Sequence, residues 1–251
     1  MSTLVLVILG LVAGSFISAW LHRLRTGASI TVGRSACPNC EHQLAWYDLV
    51  PLMSWLLLRG RCRYCSKSIS WQYPALELLC ALLFLLAPLS QGWLVTGTYL
   101  VAVILLVAAA VYDSRWMELP DYFSFMLAGL AVIHVIVLAI SGGWLLLTIN
   151  SSVGAAVGAG FFSLQYVASR GRWIGGGDII LGGSLGLLLG WPAILLALVV
   201  AYITGGLAAV PLLVVKKRGW SSAIAFGPFL AFGSLVALRF GTRLMEMLGW
   251  M

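Results

Sequence analysis

The sequence predicts an all-α polytopic membrane protein of about eight transmembrane helices, with a small cytoplasmic insertion built on four cysteines. Three observations predict it. Hydrophobic residues make up 61% of the 251 residues and charged residues only 9%, against roughly 25% charged in a soluble domain. The apolar residues come in long runs rich in Leu, Ala, Val and Gly, without the strand alternation of a lipid-facing barrel. The basic residues fall between those runs, where they set topology.

The first run is residues 3–22. No Lys or Arg precedes it, and Arg23 and Arg25 follow it. A cleaved signal peptide carries its charge in front, so this run reads as a membrane anchor with its N-terminus outside. Residues 23–73 are the one long polar stretch, with Arg23, Arg25, Arg34, Arg59, Arg61, Arg63 and Lys67. Further spans are expected near 74–90, 93–112, 121–140, 144–168, 178–190, 192–215 and 223–240. Gly190-Trp191-Pro192 divides an apolar stretch too long for one helix of about 20 residues. Gln91-Gly92 and Gly142-Gly143 read as short turns.

Eight spans with the N-terminus outside put the polar stretch inside. Its seven basic residues are joined there by Arg115, by Arg170 and Arg172, and by Lys216-Lys217-Arg218. Thirteen of the fifteen basic residues are then inside, and Arg239 and Arg243 outside. The net charge of +7 therefore reads as topology, not as a nucleic-acid surface. The expected organisation is a first transmembrane helix at 1–22, a cytoplasmic zinc-binding domain at 23–73 and a membrane-embedded bundle at 74–251.

Cys37-Pro-Asn-Cys40 and Cys62-Arg-Tyr-Cys65 stand 21 residues apart. Each pair can bind a metal with two thiolates, and two pairs complete a tetrahedral four-thiolate zinc site on a small zinc-ribbon-like loop. With no position left for water, such a zinc is structural. A redox pair or four unrelated thiols are the alternatives, though stable disulfides are rare in the cytoplasm. His22 and His42 are not needed as ligands, and Cys80, inside a predicted span, reads as packing.

Asp113 and Asp178 are two of only eight acids, and each stands where an apolar run meets a polar one. Carboxylates beside lipid are costly and mark function. On facing helices they could share one proton and activate a water. Each also has a plainer reading. Asp113 could pair with Arg115, and Asp178 could be a helix N-cap after its glycine turn. The glycines Gly175-Gly176-Gly177 would let backbone or substrate come close beside Asp178. Asp121, after Pro120, reads as a cap and Glu118 as solvated. Glu77 reads as a buried acid paired with an Arg of the polar stretch, or as part of a second site. His134 reads as a hydrogen-bonded packing histidine.

Together these residues resemble the bacterial type IV prepilin peptidases. The resemblance runs from Gly14-Ser15-Phe16 through the two cysteine pairs, Trp46-Tyr47-Asp48, Pro51, Ser54-Trp55-Leu56, Tyr73-Pro74 and Glu77. It continues in Asp113 with Pro120-Asp121, in the GxGD motif of Gly175-Gly176-Gly177-Asp178 and in Phe226-Gly227-Pro228. Ser18, Leu49 and Ile180 depart from residues common in that family. The resemblance implies an aspartic endopeptidase with Asp113 and Asp178 as its catalytic pair. It would cut the basic leader of prepilins and pseudopilins after a glycine, at the cytoplasmic face of the bacterial inner membrane. It also implies N-methylation of the new amino terminus from S-adenosylmethionine, in type IV pilus and type II secretion systems. A transporter using the aspartates as ion ligands is a competing reading, although it would place polar groups near the midplane. A non-catalytic scaffold with the aspartates as caps is another.

Overall fold

The computed structural model describes residues 2–29, 33–141, 144–214, 225–247 and 249. Among them the chain forms helices and no strand. The helices are α1 (Thr3–Thr26), α2 (Met53–Leu57), α3 (Gln72–Leu85), α4 (Trp93–Trp116), α5 (Asp121–Ser141), α6 (Trp144–Ser169), α7 (Gly176–Leu189), α8 (Ala193–Val214) and α9 (Gly227–Met247).

Among the described residues, five stretches are long and apolar enough to cross a bilayer: α1, α4, Asp121–Ile140 of α5, Leu145–Ser169 of α6 and Ala193–Val210 of α8. Eight were expected, and the other three differ for physical reasons. α3 and α7 are apolar but have 14 residues each, about 21 Å of helix against a hydrocarbon core of roughly 30 Å. α7 is bounded by Gly175 and by Gly190, whose φ of 72° suits glycine. α9 has 21 residues but carries Arg239, Arg243 and Glu246. The break at Gly190-Trp191-Pro192 falls where the sequence puts it, between α7 and α8. Gly92, with φ 95°, starts α4. The turn expected at Gly142-Gly143 and the basic cluster Lys216-Lys217-Arg218 lie outside the described residues. The outer helix faces are strongly apolar: Ile140 and Leu146 are each 76% exposed and Val167 72%, a surface that suits lipid.

Contacts divide the chain into two units, Met1–Ala87 and Pro88–Met251. In the first, α1 lies along α3. A Cβ on Gly10 or Gly14 would run into the backbone of Ala81 or Glu77, so this four-residue glycine spacing brings the two helices into backbone contact. Cys80 is fully buried there, as packing. The polar stretch forms a 3-10 turn at Trp46–Leu49, α2, and two isolated antiparallel bridges, Ala36↔Gln43 and Arg61↔Ser68. Each bridge closes one cysteine pair, so two short knuckles stand where a ribbon was expected.

In the second unit α7 packs on α5 and α6, α4 on α5 and α9, and α8 on α9. Gly154 and Gly158 of α6 face Gly186 and Gly182 of α7, and a Cβ on any of the four would strike backbone or the Phe162 ring. The Ser184 hydroxyl ties α7 to α5 by donating to the Ser124 carbonyl at 3.1 Å. His134 Nδ1 lies 2.7 Å from the Thr98 hydroxyl, both buried, which is the packing role expected of it.

Candidate functional site

The two cysteine pairs meet. All four sulfurs lie within 4.8 Å of one another, and Cys37 Sγ stands 3.9 Å from Cys65 Sγ. Four thiolates around one zinc at about 2.3 Å stand roughly 3.8 Å apart, so the spacing fits a metal ion. The knuckles repeat each other. Cys37 N–H donates to the His42 carbonyl, and Cys62 N–H to the Lys67 carbonyl. The residues following each pair, Glu41 and Ser66, both turn through positive φ, 57° and 59°. The Asn39 N–H aimed at the Cys37 sulfur, opposed by burial and aided by the Cys40 N–H, lowers that thiol to about 7. Backbone donors thus favour the thiolate at Cys37, the form a metal takes; at Cys40 the His42 N–H acts the same way, but burial and the neighbouring sulfurs outweigh it and push that thiol up to about 11.

The acids of the first unit divide between two roles. Asp48, with its side chain 3% exposed, accepts from Arg63 Nε at 2.8 Å, from the Tyr64 hydroxyl at 3.0 Å and from the Ala45 N–H. Burial opposes its charge, but these donors outweigh burial and hold its carboxyl below the usual range. Glu77 is buried and accepts the Leu52 N–H at 2.8 Å. An amide therefore stands where an arginine was expected.

In the second unit, Asp113 lies in the last turn of α4 and is 8% exposed. Its Oδ2 accepts the Gly227 N–H at 2.7 Å, so the amide that seats this carboxyl belongs to the first residue of α9. Helix starts expose such unsatisfied N–H groups and favour negative charge. A Cβ on Gly227 would stand 2.6 Å from that oxygen, so glycine is what allows the approach.

Asp178 is the third residue of α7 and not its N-cap; Gly175 occupies the cap position. The Asp178 carboxylate reaches back to accept the Gly175 N–H at 2.9 Å, the returning half of a capping box. It lies within electrostatic reach of Asp113. The packing of α4, α5, α7 and α9 thus gathers the two aspartates that the sequence singled out.

Asp121, expected as a cap, opens α5 and turns its Oδ1 toward α7, 2.7 Å from where a Cβ on Gly177 would stand. Tyr202 lies within electrostatic reach of Asp178 and donates its hydroxyl to Gln165 Oε1 at 2.8 Å. Its ring meets Phe161 edge-on at 5.5 Å and Phe226 at a tilt at 5.0 Å. No motif marks Tyr202 or Gln165, and Gly227 is visible only as the middle of Phe226-Gly227-Pro228. The two carboxylates thus each take one backbone N–H and lie within electrostatic reach of each other.

Residues 8–90 match the bacterial peptidase A24 N-terminal domain, and residues 100–210 match the type IV leader peptidase family. The chain is 36% identical over 220 residues to the prepilin leader peptidase/N-methyltransferase of Myxococcus xanthus, covering 85% of this chain and 64% of that protein. It is 33% identical over 255 residues to the type 4 prepilin-like proteins leader peptide-processing enzyme of Escherichia coli O78:H11, covering 91% and 90%. With the prepilin leader peptidase/N-methyltransferase of Dickeya chrysanthemi it shares 32% identity over 272 residues, 94% and 91% of the two chains. No solved structure matches. Similar to these relatives along nearly its whole length, the chain belongs to the type IV leader peptidase family.

Proposed function

We propose that this chain removes the leader peptide of type IV prepilins and pseudopilins at the cytoplasmic face of the bacterial inner membrane, and N-methylates the amino terminus so exposed. The observation that carries the reading is the placement of Asp113 and Asp178 at the ends of apolar helices, within electrostatic reach of each other, each accepting a backbone N–H.

The chemistry needs one aspartate ionised and the other protonated. The ionised carboxylate takes a proton from water as the water oxygen attacks the scissile carbonyl carbon. The protonated carboxyl gives its proton to the carbonyl oxygen. Collapse of the tetrahedral intermediate breaks the C–N bond, and the leaving amine takes up the proton first removed from water. The amides of Gly227 and Gly175 hold the two carboxyl groups in place during these transfers. The helix-end position lets water and the polar leader reach the pair while the apolar stalk of the substrate stays in lipid. In the second reaction S-adenosylmethionine, when bound, would supply the methyl group that replaces a proton on the new α-amine. Cys37, Cys40, Cys62 and Cys65 would hold a zinc ion whose role would be structural, cross-linking the cytoplasmic stretch. A reporter fused at Ala45 reads cytoplasmic in this arrangement.

Co-expression of a prepilin with Asp113→Asn or Asp178→Asn tests the peptidase. Both variants should fold and reach the membrane, and mass spectrometry should find the leader still attached. Processing at near wild-type rate by either variant would refute the aspartic mechanism.

A further inference from the structure

Peptide hydrolysis gives no role to the apolar segment that carries α2. Inside the one polar stretch of the chain, Leu49-Val-Pro-Leu-Met-Ser-Trp-Leu-Leu-Leu58 runs without a charge. Met53, Leu56 and Leu57 have the spacing of a single helix stripe and are 54%, 60% and 75% exposed. Leu49 and Val50, just before them, are exposed as well. Apolar side chains exposed at this density mark a surface that is covered in use.

Where the segment lies follows from α1 and α3. A Cβ on Gly14 would strike the Glu77 backbone, and one on Gly10 the Ala81 backbone. The two helices are therefore antiparallel, with Gly14 and Glu77 at one level. Glu77 Oε2 accepts the Leu52 N–H at 2.8 Å, which ties the segment to that level. Gly14 lies about 13 Å along α1 from Arg23, the charge that closes its apolar run. A glutamate side chain and a hydrogen bond together span less than that, so the Leu52 amide sits below the charged rim. Leu49 and Pro51 line a groove with Val12 and Phe16 of α1, themselves exposed. The apolar surface of the segment thus continues the outer surface of α1.

Backbone at that depth must have its polar groups paired. Ser54 and Leu56 N–H donate to the Val50 and Leu52 carbonyls at 3.1 and 2.9 Å. Leu52 precedes α2, where no helical carbonyl is available to its amide, and Glu77 supplies the acceptor. This gives a buried acid on an apolar helix its task. Arg59 and Arg61 follow the segment and are exposed, and Trp71, 69% exposed, stands at the start of α3. Basic side chains and tryptophan are the groups that settle at the headgroup layer.

We propose that residues 49–58 are an interfacial insertion into the leaflet nearer the cysteine pairs, with Met53, Leu56 and Leu57 against acyl chains and Arg59 and Arg61 on anionic headgroups. The cysteine knuckles that flank the segment are then held against the membrane plane and not suspended on a tether. The proposal rests on α1 crossing the bilayer.

Full-length protein in nanodiscs of phosphatidylethanolamine and phosphatidylglycerol tests this. Irradiation of a chain with benzoylphenylalanine in place of Leu57 should add the mass of one phospholipid, as should the same residue in place of Ile8 on α1. In place of Gln43, an exposed polar position of the first knuckle, it should give little adduct. Lipid adduct at position 8 but not at 57 overturns the proposal and leaves α1 in the membrane; adduct at neither removes α1 from the membrane too. Equal lipid adduct at 43 overturns an insertion confined to this segment. Crosslinks from 57 to a second copy of the chain, or to a prepilin held in the same discs, make the face a protein interface and overturn it as well. Independently, Leu56→Asp with Leu57→Asp should speed amide exchange of residues 49–58 in the same discs by at least about 10-fold, the worth of burying one leucine, with exchange of α1 unchanged. Exchange as slow as in the wild type would refute the insertion.

Discussion

Substituting alanine for Gly227 adds one methyl group behind Asp113, and the consequence can be worked from the geometry. The new carbon would stand 2.6 Å from Asp113 Oδ2 and 3.1 Å from its Cγ, where ordinary contact begins at 3.4 Å. The carboxyl must retreat by roughly 0.8 Å or turn about its side-chain bonds, and either motion lengthens the 2.7 Å bond from the Gly227 N–H. A hydrogen bond to a charged group contributes about 1.5–3 kcal/mol, and a misplacement near 1 Å costs about 100-fold in rate. Prepilin cleavage should therefore fall by about 100-fold. Stability should change little, because the added methyl meets a side chain at a helix start and no backbone. The assay is initial-rate cleavage of a purified prepilin, with thermal unfolding of the same preparation as the control. A folded Gly227→Ala enzyme within about threefold of the wild-type rate would show that the Asp113 position does not limit the reaction.

Two further outcomes follow from the cytoplasmic stretch. Elemental analysis of the purified protein should find about one zinc per chain, and Cys62→Ser should lower both the zinc content and the unfolding temperature; metal-free protein with unchanged melting would remove the structural role. The folded Asp48 carboxyl titrates below its ordinary 3.8, so its contribution is complete above that value and is lost as pH falls through the lower, folded value. Asp48→Asn should accordingly melt below wild type near neutral pH, with the gap narrowing as pH falls below 3.8, and a gap independent of pH would refute the assignment.

What was legible in the sequence was what depends on composition and short spacing. Long apolar runs announce helices, and Gly190-Trp191-Pro192 announces a break, because such a run in lipid must satisfy its own backbone. Two CxxC pairs announce four converging sulfurs because each pair fixes two ligands locally. Helix length was less legible. Hydropathy averages across residues that cap and turn, so 74–90 and 178–190 read as spans although α3 and α7 stop after 14 residues each. The glycine pairs Gly10/Gly14, Gly154/Gly158 and Gly182/Gly186 stand in plain view, but which helix each one faces depends on packing that no local pattern states.

The site shows the same division. Asp113 and Asp178 were conspicuous as acids in an apolar chain, yet their partners are backbone amides, and an amide looks the same at every position of a sequence. Asp121 shows the same limit: the residue after proline does open α5, as the sequence has it, while the direction of its carboxylate, toward Gly177 next to Asp178, depends on packing that no local pattern states. That contact makes Gly177 and Asp121 a coupled pair. Alanine at 177 improves the backbone preference of α7 by about 0.5–1 kcal/mol, so any loss must come from the collision with Asp121. Gly177→Ala should reduce cleavage by about tenfold, and adding Asp121→Ala should restore most of it, a coupling of about 1.4 kcal/mol within the range of contacting residues. Asp121→Asn alone, which keeps the shape, should cleave nearly as wild type. Full activity in Gly177→Ala would mean that α5 and α7 do not meet through these residues, and a double variant no better than the single would mean that Asp121 is not the group displaced.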